Sequence, residues 1–279
     1  MSLIRFDNFS FRYKGNEEYA LNNINLEINE NSFILLAGET GSGKTSFIRC
    51  FNGLIPQFYA GYYKGSVEIA GNNTINTPIS DLSTVVGIVF QNPENQLVAM
   101  NVEHEIAFGM ENLGIPSSEI EKRIKEIVKL TEIEHLLERA PFEISGGEKQ
   151  RVAIASVLVL DPKILILDEP TANLDPFFAK KIITMLKKIQ ETKKISVIIS
   201  EHRMDLLVPL VDDIILMEDG KLIAYDDKNV IMSSELFYNL NINKPKIYSL
   251  FKELEHMNTR FNKIPISVEE ALNLFRQYK

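Results

Sequence analysis

The sequence predicts an α/β fold built on a largely parallel sheet that helices cover on both faces. From residue 145 onward, continuous apolar strands such as "ILILD" (164–168) and "ISVII" (195–199) alternate with helical segments. Earlier in the chain, the apolar strand "FILLA" (33–37) leads into the glycine-rich stretch "GETGSGKTS" (38–46) and then into a helical pattern. A chain of 279 residues, 45% of them hydrophobic, suits one large domain with a small appendage.

The first half of the chain is predicted to be rich in strands. Residues 3–13 and 21–28 alternate apolar and polar side chains, which is typical of half-buried strands. After the glycine-rich stretch, Phe47, Ile48 and Phe51 share one helical face, and Gly53 is a plausible stop. Two further strands are predicted, namely "GSVEIAGNN", which enters a Gly/Asn turn, and "VVGIVF", which a polar loop follows.

Helices dominate two other regions. Residues 102–140 are helical by pattern, with a break at "GIP", and Ser118 and Glu121 have the spacing of a capping box. A helix over 176–190 and the strand "DIILME", which ends in an Asp-Gly turn, complete the alternating part. Residues 227–279 carry short helical patterns separated by prolines, so we expect a small helical C-terminal domain there.

Composition excludes several classes of protein. Lys and Arg total 30 against 38 Asp and Glu, and the net charge of −8 argues against a nucleic-acid partner. The single cysteine, Cys50, excludes an internal disulfide and fits a reducing cytosol. The longest apolar runs fall short of the ~20 residues that cross a bilayer, so any membrane role is expected to be peripheral.

The stretch 38–46 matches G-x-x-x-x-G-K-[ST] in the context that this motif requires, after a strand and at the start of a helix. The glycines let backbone N–H groups surround a phosphate, Lys44 can lie between β- and γ-phosphates, and the Thr45 hydroxyl can bind Mg²⁺. The alternative is a flexible turn before a helix. The residues predicted to bind nucleotide here are Gly38, Glu39, Thr40, Gly41, Ser42, Gly43, Lys44, Thr45 and Ser46.

Polar residues at three strand ends are candidates for metal binding and catalysis. Asp168 and Glu169 follow "ILIL", where Asp168 suits the Mg²⁺ shell and Glu169 can polarise an attacking water. Gln91 could bind Mg²⁺ or water, and His202 could donate a hydrogen bond to the γ-phosphate. The structural alternatives are that Glu169 caps the next segment and that His202 is an ordinary buried histidine.

A second glycine motif, "SGGE", lies at 145–148. Ser145 and Glu148 have capping-box spacing, so this motif predicts a well-formed helix start. Gly146 and Gly147 at a helix N-terminus also form an anion site, and the chain has no further nucleotide motif to supply that anion. The motif is therefore a candidate for binding the phosphate of another molecule.

Taken in order and spacing, these motifs resemble those of an ABC-type ATPase over about residues 3–226. The resemblance implies an α/β P-loop core with a mixed, mostly parallel sheet, an N-terminal antiparallel β subdomain and a helical insert at about 92–160. It also implies a head-to-tail dimer in which the signature segment (residues 145–151) of one subunit closes on ATP held by a second ABC ATPase subunit. Tyr13 resembles the aromatic that stacks on adenine, and Asp175 resembles the aspartate that couples the two sites; a strand tyrosine and a helix N-cap are the simpler alternatives.

The segments "FNGLIP", 89–115 and the tail ending "PISVEEALNLFRQYK" resemble the ATPase of an energy-coupling factor transporter, which imports vitamins or transition-metal ions. This resemblance implies a transmembrane coupling subunit, a separate substrate-binding membrane protein and a position at the cytoplasmic face of the membrane. The C-terminal region, 227–279, would be a dimerisation element. The alternatives are a non-transport ABC ATPase acting on ribosomes or DNA, and a P-loop small-molecule kinase.

Three carboxylates near Gln91 are candidates for contact with the membrane subunit. Glu94 lies in a polar loop, whereas Glu103 and Glu105 lie at a helix start, where they also suit the helix dipole. In the resembled systems the coupling helices carry arginines, for which a carboxylate is the natural bidentate partner. Glu94 is the first choice and the other two are the alternative.

Overall fold

The structure is a computed structural model that describes residues 2–257, 261 and 263–277. The rest of the predicted C-terminal domain lies outside the described residues. Within this part of the chain the strands are β1 (Ile4–Tyr13), β2 (Leu21–Ile28), β3 (Phe33–Gly38), β4 (Gly61–Ile69), β5 (Asn72–Asn73), β6 (Val86–Val89), β7 (Ile164–Asp168), β8 (Ser196–Ser200), β9 (Asp213–Glu218) and β10 (Lys221–Asp227). The α-helices are α1 (Lys44–Phe51), α2 (Ile79–Val85), α3 (Val102–Asn112), α4 (Ser117–Thr131), α5 (Gly146–Leu158), α6 (Pro176–Lys193), α7 (Met204–Leu207), α8 (Lys228–Ser233), α9 (Glu235–Asn239), α10 (Lys246–His256) and α11 (Val268–Gln277).

The N-terminal sheet is antiparallel, in the order β2-β1-β4-β5. Its apolar face is aromatic, because Phe6, Phe9 and Phe11 of β1 are all buried; a bulge between Phe6 and Phe9 keeps both on this face. Phe6 packs against Phe47 and Phe51 of α1, with ring centroids 4.8 and 5.3 Å away. The helix after the glycine-rich loop is thereby held between the two sheets.

The second sheet has the order β10-β9-β3-β8-β7-β6. Neighbouring strands from β9 to β6 are parallel, and only the β9–β10 pair of this described sheet is antiparallel. Side chains alternate between two cores: Ile34 and Ile166 face the aromatic layer, whereas Leu35 and Leu165 face the helices on the other side. Burial on both faces explains why these strands are continuously apolar.

Strand order determines which loops meet. The carboxyl ends of β3, β8, β7 and β6 lie side by side at one edge of the sheet. The glycine-rich loop follows β3, and the polar residues predicted at strand ends follow the other three strands. A sheet of this kind binds ligands outside the carboxyl ends of its strands.

Helices α3, α4 and α5 form the region predicted as an insert, but two local predictions for it were wrong. The capping box at Ser118 and Glu121 does not form, because α4 already begins at Ser117, directly after Pro116. Proline at the N-cap leads straight into the first turn and leaves Ser118 inside the helix. Helical structure also does not continue to residue 140, because Glu132 adopts a left-handed conformation (φ 57°) that ends α4, and only short 3₁₀ turns follow.

Short helices α8 to α11 make up the end of the chain, as the proline-separated pattern predicted. Tyr248 is fully buried and packs edge-on against Phe237 at 5.4 Å, and Ile231 and Met232 join the core of the second sheet. Among the described residues, no helix is both long and apolar enough to traverse a lipid bilayer.

Candidate functional site

The glycine-rich loop (residues 38–46, here the P-loop) has a backbone that only glycine adopts without strain. Gly41 and Gly43 have φ of +85° and +98°. A Cβ atom on Gly43 would also lie 2.7 Å from the carbonyl oxygen of Ala20. Gly43 is the N-cap of α1, so the loop and the start of the helix form one continuous turn.

Two other segments hold this loop in place. The N–H of Gly220, in the β9–β10 turn, donates to the carbonyl oxygen of Ser42 at 3.0 Å. The carbonyl of Gly220 in turn accepts a hydrogen bond from the N–H of Asn22 at the start of β2, at 2.8 Å. The sequence predicted the turn at Asp219–Gly220 but gave no signal that this turn supports the loop.

Lys44 lies within the loop and is only 6% exposed. Its ammonium donates to the carbonyl oxygens of Gly38 at 2.9 Å and Glu39 at 2.8 Å. An ammonium has three donors, so one remains for a ligand in the loop. Burial lowers the pKa of Lys44, and the negative charges of Glu169 and Asp168 oppose that shift.

Asp168 closes a polar network behind the loop. Its Oδ2 accepts from the Thr45 hydroxyl at 2.8 Å, and its Oδ1 accepts from the Ser200 hydroxyl at 2.5 Å. The carboxylate is 5% exposed, so these hydrogen bonds and the nearby Lys44 offset its desolvation. Ser200, at the end of β8, was not predicted, and a serine ending a strand carries little signal by itself.

Glu169 joins two residues that are far from it in sequence. Its Oε2 accepts from Nε2 of Gln91 at 2.8 Å, and its Oε1 lies 3.0 Å from Nε2 of His202. Glu169 itself has φ of +48°, in the left-handed region that residues other than glycine seldom adopt. The structure therefore brings Gln91, Glu169 and His202 together, as their positions at neighbouring strand ends suggested.

A buried acid supports this cluster and was missed from sequence. Glu201 is 3% exposed, and its Oε2 accepts from the Thr171 hydroxyl at 2.5 Å. Its Oε1 accepts from the N–H groups of His202 and Arg203 at 3.0 and 3.3 Å. The carboxylate therefore fixes the backbone from which the His202 side chain extends.

A cavity of about 940 Å³ opens at this edge of the sheet. The P-loop, Gln91 and Glu169 line it, together with residues of two turns that the sequence did not mark as binding residues: Glu18, Tyr19, Ala20, Asn22, Asp219, Gly220 and Lys221. Tyr13 is not among the described residues that line the cavity; its hydroxyl is 3.0 Å from Oγ of Ser46 and accepts from Arg49 at 3.2 Å. Tyr19 is the tyrosine on the cavity wall.

The signature segment lies apart from this cavity. Among the described residues that line the cavity, none belongs to 145–151. Ser145 is the N-cap of α5 and forms the predicted capping box with Glu148. A Cβ atom on Gly146 would meet no atom within 4 Å, so an open surface lies above that glycine.

Asp175 begins α6, as its position before a proline predicted. Its Oδ1 accepts from the N–H groups of Phe177 and Phe178 at 2.9 and 3.1 Å. Phe178 stands beside the signature segment, since its ring would be 3.4 Å from a Cβ atom on Gly147. The two segments are therefore neighbours, and Ser145, Gly146 and Asp175 are all exposed.

The model of the ABC transporter family matches residues 21–172, which include the P-loop, Gln91, the signature segment and Glu169. The chain belongs to the ABC transporter family. An ABC transporter ATP-binding protein of Pyrococcus horikoshii, PH1815, is 41% identical over 91% of this chain and 90% of its own length. Other relatives are longer: the chain spans about half of the Caldanaerobacter subterraneus protein TTE1589, at 47% of its length and 38% identity.

Solved ABC structures have the same fold. CbiO1 of Clostridium perfringens, described as part of the ABC transporter complex CbiONQ, aligns with a TM-score of 0.76 and 30% identity over 92% of this chain and 98% of its own. The dimeric cassette MJ0796, bound to ADP and phosphate, aligns with a TM-score of 0.68 and 29% identity over 81% of this chain and 98% of its own. The predicted ABC ATPase fold is confirmed, and the chain is an ATP-binding cassette with ATPase activity.

Proposed function

We propose that this cassette is the ATP-hydrolysing subunit of an energy-coupling factor importer for a vitamin or a transition-metal ion, and that it works as a head-to-tail dimer with two sandwiched ATP molecules. The observation that carries the dimer is the separation of the two anion-binding motifs. The P-loop and Glu169 share one cavity, whereas the signature segment opens onto another surface. The likeness to CbiO1 over 92% of the chain supports the energy-coupling factor type.

The residues around the cavity fit ATP and Mg²⁺. The hydroxyl of Ser42 is buried without a hydrogen-bond partner among the described residues, although it lies in a loop that otherwise presents N–H groups. Asp168 and Thr45 offer hard oxygen donors, and Gln91 offers an amide oxygen, as Mg²⁺ prefers. Bound Mg²⁺ would neutralise charge that develops on the β- and γ-phosphates.

Four side chains around the cavity would carry out ATP hydrolysis. Lys44 binds the phosphates with its free donor, and Glu169 polarises the attacking water. His202 and Gln91 orient the Glu169 carboxylate, because each contacts a different oxygen of it. His202 can also donate to the γ-phosphate when its Nε2 carries the proton.

The partner subunit completes each site in this proposal. Ser145 and the N–H groups of Gly146 and Gly147 would meet the γ-phosphate held by the second subunit, with Glu148 in the same turn. Asp175, exposed next to the signature segment, would couple the two sites across the interface. Tyr13 would stack on adenine, and its contact with Ser46 puts it next to the P-loop.

A docking groove for the transmembrane coupling subunit lies beside the signature helix. It is a cavity of about 450 Å³ lined by Glu94, Leu97, Val98, Ala99, Met100, Pro141, Phe142 and Lys149. Val98, Met100 and Phe142 are 70%, 87% and 83% exposed, so the groove offers apolar contact around a charged centre. Binding there would hold the chain peripherally at the cytoplasmic face of the membrane, beside a separate substrate-binding membrane protein.

The three candidate carboxylates have different surroundings. Glu94 is paired with Lys149 at 2.5 Å, yet 67% of its side chain is exposed. Glu103 is exposed, whereas Glu105 is 5% exposed and accepts from the N–H groups of Val98 and Ala99, both at 2.7 Å. Glu105 is therefore a structural residue and drops out as a contact, and Glu94 remains the choice.

The C-terminal region, 227–279, would be a small domain that assists dimerisation. On α11, Val268, Leu272 and Phe275 are 62%, 52% and 52% exposed and lie four and three residues apart. This spacing makes one apolar stripe on the helix. In the proposed dimer, the second ABC ATPase subunit, identical or paralogous, would cover this stripe.

Complementation tests the head-to-tail dimer. Lys44→Ala removes the P-loop cation, and Gly146→Asp puts a carboxylate on the open surface where the second subunit's γ-phosphate would lie. Each variant alone should lack turnover. A mixture should recover up to about a quarter of parental turnover per total protein, because half of the dimers are mixed and each has one intact composite site.

No recovery in the mixture, with both variants folded and mixed dimers present, would contradict the head-to-tail arrangement. The transporter type is tested separately by purifying the tagged chain from its own membranes. We expect a small hydrophobic membrane protein to co-purify. Recovery on ribosomes or DNA would instead support the non-transport alternative.

A further inference from the structure

The acidic side chain in the first turn of α5, Glu148, uses one of its oxygens to bind the N-cap serine, Ser145. Oε2 of Glu148 accepts from the N–H of Ser145 at 2.8 Å and from the Ser145 hydroxyl at 2.7 Å. Oε1 lies 3.7 Å from Nε2 of His135. The hydroxyl bond lowers the pKa of Glu148 most, followed by the N–H bond, so the carboxylate is charged at neutral pH.

An ionised carboxylate only accepts, and a serine hydroxyl has one hydrogen. The hydrogen of the Ser145 hydroxyl is therefore directed at Glu148 and not at the open surface above Gly146. To donate to a phosphate, the Ser145 hydroxyl must first break its hydrogen bond to the Glu148 carboxylate. A neutral glutamine at 148 would still accept from the Ser145 N–H and keep the cap, but it would hold the hydroxyl less strongly.

Charge adds to this competition. Gly146 and Glu148 lie in the same helical turn, whose pitch is about 5.4 Å. An anion that approaches the N-terminal N–H groups of α5 therefore also meets the negative charge of Glu148 in the same turn. The helix dipole attracts the anion, and the carboxylate repels it.

We propose that Glu148 is a positioning residue that restrains ATP-driven closure: it holds the Ser145 hydroxyl and repels the γ-phosphate of the partner's ATP, and so raises the ATP concentration at which two subunits close. This inference rests on the proposed head-to-tail dimer. It assigns to Glu148 a regulatory effect opposite to that of its neighbours Ser145 and Gly146, which bind the phosphate.

The experiment uses the full chain with Glu169→Gln, which arrests hydrolysis, and follows dimer formation by sedimentation velocity as ATP is titrated. Adding Glu148→Gln should lower the ATP concentration of half-maximal dimerisation by roughly tenfold, as expected for a unit charge at this range between water and protein surface. At high salt, the ratio of the two ATP concentrations of half-maximal dimerisation should shrink to less than about threefold, because salt screens the repulsion between Glu148 and the phosphate. A ratio that salt leaves unchanged would contradict the electrostatic part of the inference.

Glu143→Gln is the matched control. Glu143 is exposed, lies just before the signature segment, and its Oε2 accepts from the N–H of Ala140 at 2.9 Å, so the substitution removes the same charge from a similar cap. It should shift the midpoint by less than about twofold. An equal shift from Glu143→Gln would show a general charge effect and overturn the role of Glu148.

Gly146→Asp in the same background separates the inference from the dimer on which it rests. If Gly146→Asp still dimerises with ATP like its parent, the head-to-tail arrangement itself fails. If Gly146→Asp abolishes dimerisation while Glu148→Gln leaves the midpoint unchanged or raises it, the dimer stands and the restraint by Glu148 is refuted. Circular dichroism and thermal unfolding of each variant confirm that the overall fold is retained.

Discussion

Removing the charge of Glu169 while keeping its shape should arrest ATP hydrolysis and leave ATP binding intact. In Glu169→Gln, the amide oxygen can still accept from Gln91, where the carboxylate now accepts at 2.8 Å. The amide nitrogen then faces the ring of His202, whose Nε2 lies 3.0 Å from the other oxygen and accepts in the Nδ1–H tautomer. Both contacts can persist, so the substitution chiefly removes the carboxylate as a base. In the Nδ1–H tautomer His202 also ceases to donate to the γ-phosphate, so the measured loss of rate includes that contact.

The size of the expected rate loss follows from the removal of a general base. A positioned general base contributes about 10²- to 10⁴-fold to the rate, which is about 3–5 kcal/mol of transition-state free energy. The free energy of unfolding should change by less than about 1 kcal/mol, since no hydrogen bond is lost without replacement. ATP affinity should be retained, because Lys44 and the P-loop are untouched.

Phosphate release at saturating ATP measures the rate, and a fluorescent ATP analogue measures binding. Glu169→Asp is the companion variant: it keeps the charge but withdraws it by one methylene, so its rate should fall between those of the parent and Glu169→Gln. With binding intact and hydrolysis arrested, Glu169→Gln should accumulate ATP-bound dimers. Turnover of Glu169→Gln above about a tenth of the parental rate would remove Glu169 from its catalytic role.

Three further predictions concern the surfaces around the site. Glu94→Lys should weaken co-purification with the transmembrane subunit and reduce uptake, and it places two positive charges side by side at Lys149. Combining it with Lys149→Glu restores an opposite-charge pair, so folding stability should recover but assembly should not. Recovered assembly would show that the pair serves only the fold. Glu105→Ala should lower the free energy of unfolding by about 2–3 kcal/mol in urea titrations, because two N–H groups lose a charged acceptor, and a loss below about 0.5 kcal/mol would contradict that role. In the Glu169→Gln chain, Leu272→Glu with Phe275→Glu should weaken ATP-driven association by at least tenfold in sedimentation equilibrium, since it puts charge on the apolar stripe of α11, and an unchanged association constant would exclude that stripe from the interface.

Much of the site could be predicted because its chemistry sits at strand ends. The apolar strands marked where the chain turns: Asp168 ends β7, Glu169 follows it, and Gln91 and His202 each lie two residues beyond the end of a strand. Parallel strands end at the same edge, so sequence order was enough to bring these residues together. The capping box at Ser145 was also predictable, because both of its partners lie within four residues.

The remainder depended on contacts between distant segments. Glu201 holds Thr171 across 30 positions, and the Gly220 turn holds Ser42 across a still longer separation, so neither contact leaves a local pattern. The failed capping box at Ser118 shows the converse: the local spacing was right, but Pro116 had already started the helix. Glu94 is a third case, because only the fold brings Lys149 to it.

The chain of hydrogen bonds from Asn22 through Gly220 to Ser42 has a consequence for cooperativity. Asn22 belongs to the antiparallel sheet, whereas Gly220 and Ser42 lie in loops that connect elements of the second sheet, so hydrogen bonds between the two sheets pass through the P-loop. Separating the two sheets would break these hydrogen bonds and distort the P-loop, and nucleotide bound in the P-loop would stabilise the contact between the sheets. Bound nucleotide therefore stabilises the two sheets as a single unfolding unit by a free energy that grows with the logarithm of its concentration. Amide exchange toward the Ile28 end of β2, away from the cavity-lining Asn22, should slow when ATP binds, so the antiparallel sheet would report occupancy of the nucleotide site.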